Sequence, residues 1–417
     1  MTSLAVAGTL GVGAAALWRL APVRPNLANS KPGTQMLVVP ASNESRETEF
    51  DGLSVAFGAA IRQSAYFAFS EPQDYASQLP LLLKRAGDVL DPRSARHLAL
   101  RVQVPFVLFS ALTKVGSEYV FHVSLERVNT ATEQADGTWS NSFRAASRGQ
   151  IHSALHEAAR WLRQTAGEPD SSVGEANKRP EEVTTDSWEA LREYSHGMRE
   201  AQANDLPKAI TSLDSAIRRD PLFVMAHMQK GDYCVRLNRF AEGYQAWDQA
   251  IRALQQRPPS RREELMIRAM HADDMQDFPR AIAAYKELMR QYPHLEYPWR
   301  FVSSPLMKVG RVEESLEVVR QRTQRWGDRW QAWRKRLDYL VIAGQMSEAA
   351  TMMPEMQRRK IPAADFALAE FFLGYGRGDY EAAKAALASA RHSADGFRLH
   401  GVILAQAHLL ADLGEFE

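Results

Sequence analysis

The chain has 417 residues, 45% hydrophobic and 24% charged, enough for two or three folded domains and too apolar for a disordered polymer. Its 51 basic residues against 50 acidic ones leave a net charge of +1, so no global field draws it to nucleic acid or an anionic surface. The single cysteine, Cys234, excludes an intrachain disulfide and any metal site built on several thiolates.

The N-terminus stands apart. From Leu4 to Trp18 the run LAVAGTLGVGAAALW carries no charge, and Arg19 closes it. Fifteen residues rise about 22 Å as a helix, short of the ~30 Å hydrocarbon core, but counting from Thr2 to Ala21 with Arg19 snorkelling makes a span feasible. Residues 1–21 are therefore expected to anchor the chain, with membrane contact through residues 4–18. The absence of a basic n-region argues against an ordinary signal peptide. Arg19, Arg24 and Lys31 all follow the segment, so the positive-inside rule taken alone keeps the bulk of the chain in the cytoplasm. The glycines of GTLGVG lie inside this apolar run, where small residues suit helix packing better than phosphate binding.

Residues 22–33 contain three prolines and read as a linker. Residues 34–166 read as a small α/β module. QMLVVPA (Gln35 to Ala41) is a buried strand, and Glu49 to Gln63 carries Phe50, Leu53, Phe57, Ala60 and Ile61 at helical spacing. AYFAFSE is a second strand. Asp74 to Arg85 and Pro92 to Val102 are helical, the latter with Asp91 as cap and Pro92 at its first position. PFVLFSALTKV and EYVFHVSLERV alternate around Gly116-Ser117 as a hairpin, TWSNSFRAA adds a third strand, and Ile151 to Thr165 closes the module as a helix. No glycine-rich phosphate loop sits at any strand-to-helix junction. In that last helix His152 and His156 share one face beside Glu157, but the order is wrong for a zincin and no third ligand is near, so they read as solvated or half-buried histidines. Residues 167–186, GEPDSSVGEANKRPEEVTTD, are polar and rich in breakers, and read as a second linker.

From residue 187 to 417 a turn signal recurs: Asn204, Asn238, Gln276, Gly310, Gly344, Gly378 and Gly414, at intervals of 34, 38, 34, 34, 34 and 36. A period of 34 with turn formers followed by alanine marks stacked helix-turn-helix units. Gly197 and Gly231 fall on the close-contact position of a first helix, Ala209 and Ala281 on the matching position of a second, and Ala216 and Ala250 on the next. Trp247 and Tyr285 fill the adjoining hole, and Pro258-Pro259 is expected to lengthen one connection. These residues resemble the tetratricopeptide repeat family, and the resemblance implies an all-α solenoid (α-α superhelix) of about seven units. It is looser later, where Arg322 and Met356 stand in the place of alanine. The chain stops at GEFE, where a second helix should start, so the last unit is expected to be incomplete by truncation.

The wider order is also similar to a known arrangement. An apolar segment, a proline-rich linker, a domain opening MLVVPASN, the strand-turn-strand VLFSALTKVGSEYVFHVSLERVNTATEQ and a first repeat introduced by TTDSWEALREYSHG resemble the C-terminal half of bacterial receptor-type serine/threonine protein kinases, and less closely of membrane-anchored transcriptional activators. That resemblance implies a TolB N-terminal-like module followed by repeats, extracytoplasmic, across the membrane from a catalytic or DNA-binding domain. This chain has no kinase loop, strand lysine, HRD or DFG motif, and no residue takes a catalytic role. Neither a cofactor nor a metal is expected: His271 with Asp273 and Asp274 lacks a second cluster to complete a coordination shell.

RQRTQRWGDRWQAWRKR, Arg320 to Arg336, holds seven basic residues with Trp326, Trp330 and Trp333. Core packing with a solvated basic face is the expectation; stacking on bases or on a ligand's aromatic ring is the alternative. The inward face of each first helix is expected to meet a protein or peptide through Met228 and Asp232, Met266 and Met270, Arg300 and Met307, and Arg334 and Asp338. Methionine supplies adaptable contact there and arginine an anchor. The chain thus reads as a non-catalytic, membrane-anchored scaffold. Deleting residues 1–21 is expected to move the protein from the membrane to the soluble fraction; unchanged fractionation would refute the anchor.

Overall fold

A computed structural model describes residues 31–75, 79, 82, 90–129, 135–327, 329–359, 361–394 and 396–414. The expected anchor, most of the 22–33 linker and most of the helix expected at Asp74 to Arg85 lie outside these. No helix among the described residues is long and apolar enough to cross a membrane. The chain divides into two compact units, Met1–Arg192 and Glu193–Glu417.

Unit 1 contains β1 (Gln35–Val38), β2 (Ser42–Asn43), α1 (Leu53–Ile61), β3 (Ala68–Ser70), α2 (Pro92–Arg101), β4 (Phe106–Val115), β5 (Glu118–Val128), β6 (Ala135–Ala145), α3 (Ile151–Thr165), α4 (Asp170–Glu175) and α5 (Pro180–Val183). The sheet runs β3-β1-β4-β5-β6, with the two-residue β2 also beside β4. β1 is parallel to β3 and β4, whereas β4, β5 and β6 form an antiparallel meander. The hairpin forms where Gly116 adopts φ +64°, a torsion glycine takes without a Cβ penalty. Asp91 caps α2 as expected, accepting from the backbone of Arg93 and Ser94. Phe57 of α1 meets Phe121 of β5 edge to face at 4.8 Å, and Leu155 and Leu162 of α3 are fully buried.

The stretch 167–186, expected as a linker at the domain boundary, carries α4 and α5 and is folded into unit 1. Glu168, buried, accepts from Arg163 Nε (2.8 Å) and Nη2 (2.6 Å), from Ser64 Oγ (2.7 Å) and from Ser172 Oγ (2.6 Å). Burial pushes the Glu168 carboxyl up, but Arg163 and the two hydroxyls outweigh it and leave the pKa below its ordinary value. Val173 and Val183 of the same stretch are also buried. Composition alone reads this stretch as polar because its anchoring groups are charges, paired only in the folded state.

Unit 2 opens within α6 (Trp188–Gln202), followed by α7 (Leu206–Arg219), α8 (Val224–Arg236), α9 (Phe240–Gln256), α10 (Arg261–Asp274), α11 (Phe278–Gln291), α12 (Glu296–Phe301), α13 (Ser303–Lys308), α14 (Val312–Arg325), α15 (Trp330–Ile342), α16 (Met346–Arg358), α17 (Ala363–Gly376), α18 (Tyr380–Ser393) and α19 (Gly396–Asp412). α12 and α13 together occupy one first-helix place. Pro305 has no N–H to offer the Phe301 carbonyl four residues back, and the helix breaks at Val302.

All seven turn residues are left-handed, with φ between +59° at Asn238 and +78° at Gly310. Six of these turns close the same way: the residue after the left-handed one donates to the carbonyl five positions before it, as Asp205 does to Glu200 (2.9 Å) and Asp379 to Gly374 (2.9 Å). Asp205, Asp277 and Asp379 then cap the next helix through their carboxylates. Five residues after each of the first six turn residues stands a small, buried side chain or glycine: Ala209, Gly243, Ala281, Ser315, Ala349 and Ala383. There the two helices of a pair approach closely.

The 38-residue interval does not arise in the connection. α9 has 17 residues where α7 and α11 have 14, so most of the insertion is an extra turn of helix ahead of Pro258-Pro259. Arg322 and Met356, standing where alanine is usual, are both buried.

Gln276→Gly should raise stability by about 0.5–1 kcal/mol in chemical denaturation, because glycine removes the cost of a left-handed side chain. Gly231→Ala should lower it by about 1–3 kcal/mol, because the added Cβ would lie 2.8 Å from the Trp247 ring.

Candidate partner-docking face

The large aromatic of the second helix organises the first. Trp247 of α9 is fully buried, lies against Gly231 of α8, and donates from Nε1 to Asp274 Oδ2 of α10 at 2.7 Å. One side chain therefore ties three helices and fixes an acidic group near the end of a first helix. Tyr285, in the same place one unit on, is 3.5 Å from Asp273 Oδ2 through its hydroxyl.

The eight residues expected to meet a partner have different fates. Met228 is fully buried with Val224, Trp247 and Ile267, so it is core filling and offers no contact surface. Met266 and Met270 are half-buried against that same cluster, and Met307 packs partly against the cluster of Leu337 and Tyr339. Asp232 stays half-buried, 3.8 Å from Arg236, and burial pushes its carboxyl above the ordinary value. Arg300 is exposed, with its guanidinium 5.1 Å from the Phe301 ring centre. Arg334 and Asp338 pair with each other at 2.7 Å, and Arg334 also donates to the Asp365 carbonyl at 3.0 Å. The arginine expected as an anchor is thus already engaged.

Asp273 and Asp274 belong to the face as well. Burial raises both carboxyls; for Asp274 the nearby charges of Asp232 and Asp273 add to burial and take it to about 7, against the Trp247 hydrogen bond and Lys308. Lys308 stands 4.0 Å from Asp273. The Tyr297 hydroxyl is buried beside Tyr285, within the field of Asp232, Asp273 and Asp274. The adjacent pair of aspartates at the end of one first helix is the sequence signal for this cluster, but its meaning depends on Trp247 from the preceding unit. Among the described residues no cluster of His, Cys, Asp and Glu could hold a metal ion. His271 lies beside the Trp247 ring at 5.9 Å, His152 stacks on Trp188, and His156 meets Asn177.

The basic stretch is not a free patch. Arg322, 3% exposed, binds Glu296 through Nε (2.9 Å) and Nη2 (2.6 Å), and Arg329 takes the other oxygen of the same carboxylate. Arg320 pairs with Glu317, Arg336 with Glu348, Arg325 lies over Trp299 and Lys335 over Tyr339. Trp326 is buried, and Trp333 donates to the Gly327 carbonyl. All seven cations, Arg334 included, are engaged within the unit, which supports the packing expectation.

A model of the tetratricopeptide repeat matches residues 194–260, the segment from α6 through α9. No curated protein matches the chain. Similar solved structures include PilW, a widely conserved type IV pilus biogenesis factor, at 16% identity and TM-score 0.41 over 51% of this chain and 98% of that one. A tetratricopeptide repeat protein from Parabacteroides merdae is similar at 11% identity and TM-score 0.42 over 62% and 94%. Pseudomonas aeruginosa pilF follows at 12% identity and TM-score 0.37 over 52% and 97%. The chain is a small α/β module followed by an all-α array of paired helices, within which residues 194–260 match the tetratricopeptide repeat.

A carboxyl raised by folding contributes stability that is present below its unfolded pKa and lost as pH rises through its folded value. For Asp274 that window runs from its ordinary value of 3.8 up to about 7. Asp274→Asn keeps an acceptor for Trp247, and should raise the unfolding midpoint at about pH 8 while flattening the loss of stability across this window. An unchanged pH profile of thermal unfolding would contradict the assignment.

Proposed function

We propose that unit 2 is a non-catalytic protein-interaction scaffold that holds a polypeptide along its first helices α8, α10, α12, α13 and α15. The observation that carries this reading is the half-buried row of Asp232, Asp273 and Asp274. Folding holds these carboxyls above their ordinary pKa, at a cost that a partner's N–H groups or basic side chain would offset. Met266, Met270 and Met307 flank the row with adaptable apolar surface, and Arg300 offers an exposed cation beside it. A photo-crosslinking residue at Met270 or Met307 should capture a discrete polypeptide in the native cell, and one at exposed Arg252 of α9 should not. Equal capture from both positions would refute the face.

The finer reading, a membrane-anchored sensory part of a receptor kinase or of a membrane-bound transcriptional activator, with unit 1 as a TolB N-terminal-like module outside the cytoplasm, is supported by the sequence resemblance that begins at MLVVPASN. An in-frame kinase or DNA-binding domain upstream of Met1 is the expected outcome of reading the encoding DNA. A stop codon directly before Met1 would remove that version and leave the scaffold reading intact.

A further inference from the structure

A buried, titratable stack in unit 1 lies outside everything assigned so far. Trp188, the first residue of α6, is seated between two rings. His152 of α3 lies flat against it, with ring centres 4.4 Å apart and planes 17° apart, and Phe50 meets it edge on at 5.1 Å. His152 is only 6% exposed, and its Nε2 is buried without a hydrogen-bond partner. Glu181 of α5 mirrors it: one oxygen accepts from Arg179 Nε at 2.7 Å, while Oε2 is buried and unpartnered. A basic nitrogen and a carboxylate oxygen, both desolvated and both orphaned, thus sit on neighbouring elements around one aromatic seat.

We propose that His152 is an acid-sensing latch: neutral, it is the shelf on which Trp188 sits; protonated, it leaves that shelf for Glu181, and residues 184–191 loosen. A neutral imidazole stacks on indole at no charge cost, whereas a buried imidazolium must find an anion. The charged groups around the ring are Glu181 and Asp186, which favour its proton, and Arg179, which opposes it. Burial is the largest influence and holds His152 below its ordinary value of 6.5. With the folded value depressed, the seat is at full strength above 6.5 and is lost as pH falls from there through the folded value.

The test is hydrogen exchange of the amides from 184 to 192 in the full chain, corrected for the intrinsic pH dependence of exchange. Between about pH 7.5 and 5, protection in this segment should fall by about tenfold for each unit by which His152 is depressed. His152→Phe keeps a flat ring under Trp188 but cannot titrate, and should hold its protection across the range. Glu181→Gln removes an anion that favours the charged ring, so the folded value drops and the loss, starting from the same pH, should extend to lower pH. Equal loss in His152→Phe and wild type, no loss in wild type, or a lower limit of the loss unmoved in Glu181→Gln would each overturn the latch.

Discussion

One backbone torsion repeated seven times governs unit 2. Each first helix ends on a residue in the left-handed region, and in six of the seven turns the next residue donates back to a carbonyl five positions earlier, so the chain reverses within two residues. A reversal that tight brings the second helix against the first within a turn and a half. The contact point five residues on therefore admits only glycine, alanine or serine. Close approach at that point opens a gap farther along the pair, and a larger side chain fills it. The sizes compensate: Leu213 lies against Gly197 and Trp247 against Gly231.

Trp247 connects this packing to the surface chemistry. Its ring fills the space glycine leaves, and its only polar atom is passed to Asp274 in the following unit. That bond holds a carboxylate where water reaches it poorly and where Asp232 and Asp273 repel it, so its pKa rises to about 7. The basic stretch shows the opposite outcome. Glu296 takes two arginines, and aromatic faces and neighbouring carboxylates take the other five cations. Charge left incompletely matched is thus found on the acidic row, while the stretch with the highest density of cations is internally satisfied.

Several features were legible because a local constraint admits few residues. A left-handed torsion favours glycine and asparagine, so Asn204, Asn238 and the later glycines could be read directly, and Gln276 only by keeping the period. Asp91 before Pro92 was legible for the same kind of reason, as were the Gly116 hairpin and the bounds of α3. The fate of 167–186 was not, because Arg163 and Glu168 look solvated until Ser64, more than a hundred residues earlier, joins them. Met228 was misplaced because its side chain is buried in the core with Trp247 and Ile267, from helices the repeat spacing alone does not bring to it. The extra residues before Pro258-Pro259 went into helix because nothing in that stretch breaks one.

By itself the sequence determined the two-part architecture, the repeat period and the places where the chain must turn, since each follows from backbone sterics and the spacing of small and apolar residues along one segment. Tertiary structure alone decided which charges are spent and which remain available. Asp274 and Arg322 differ in what lies across from them, an indole in one case and a carboxylate in the other, and that depends on helices from other units meeting at a distance no linear spacing encodes.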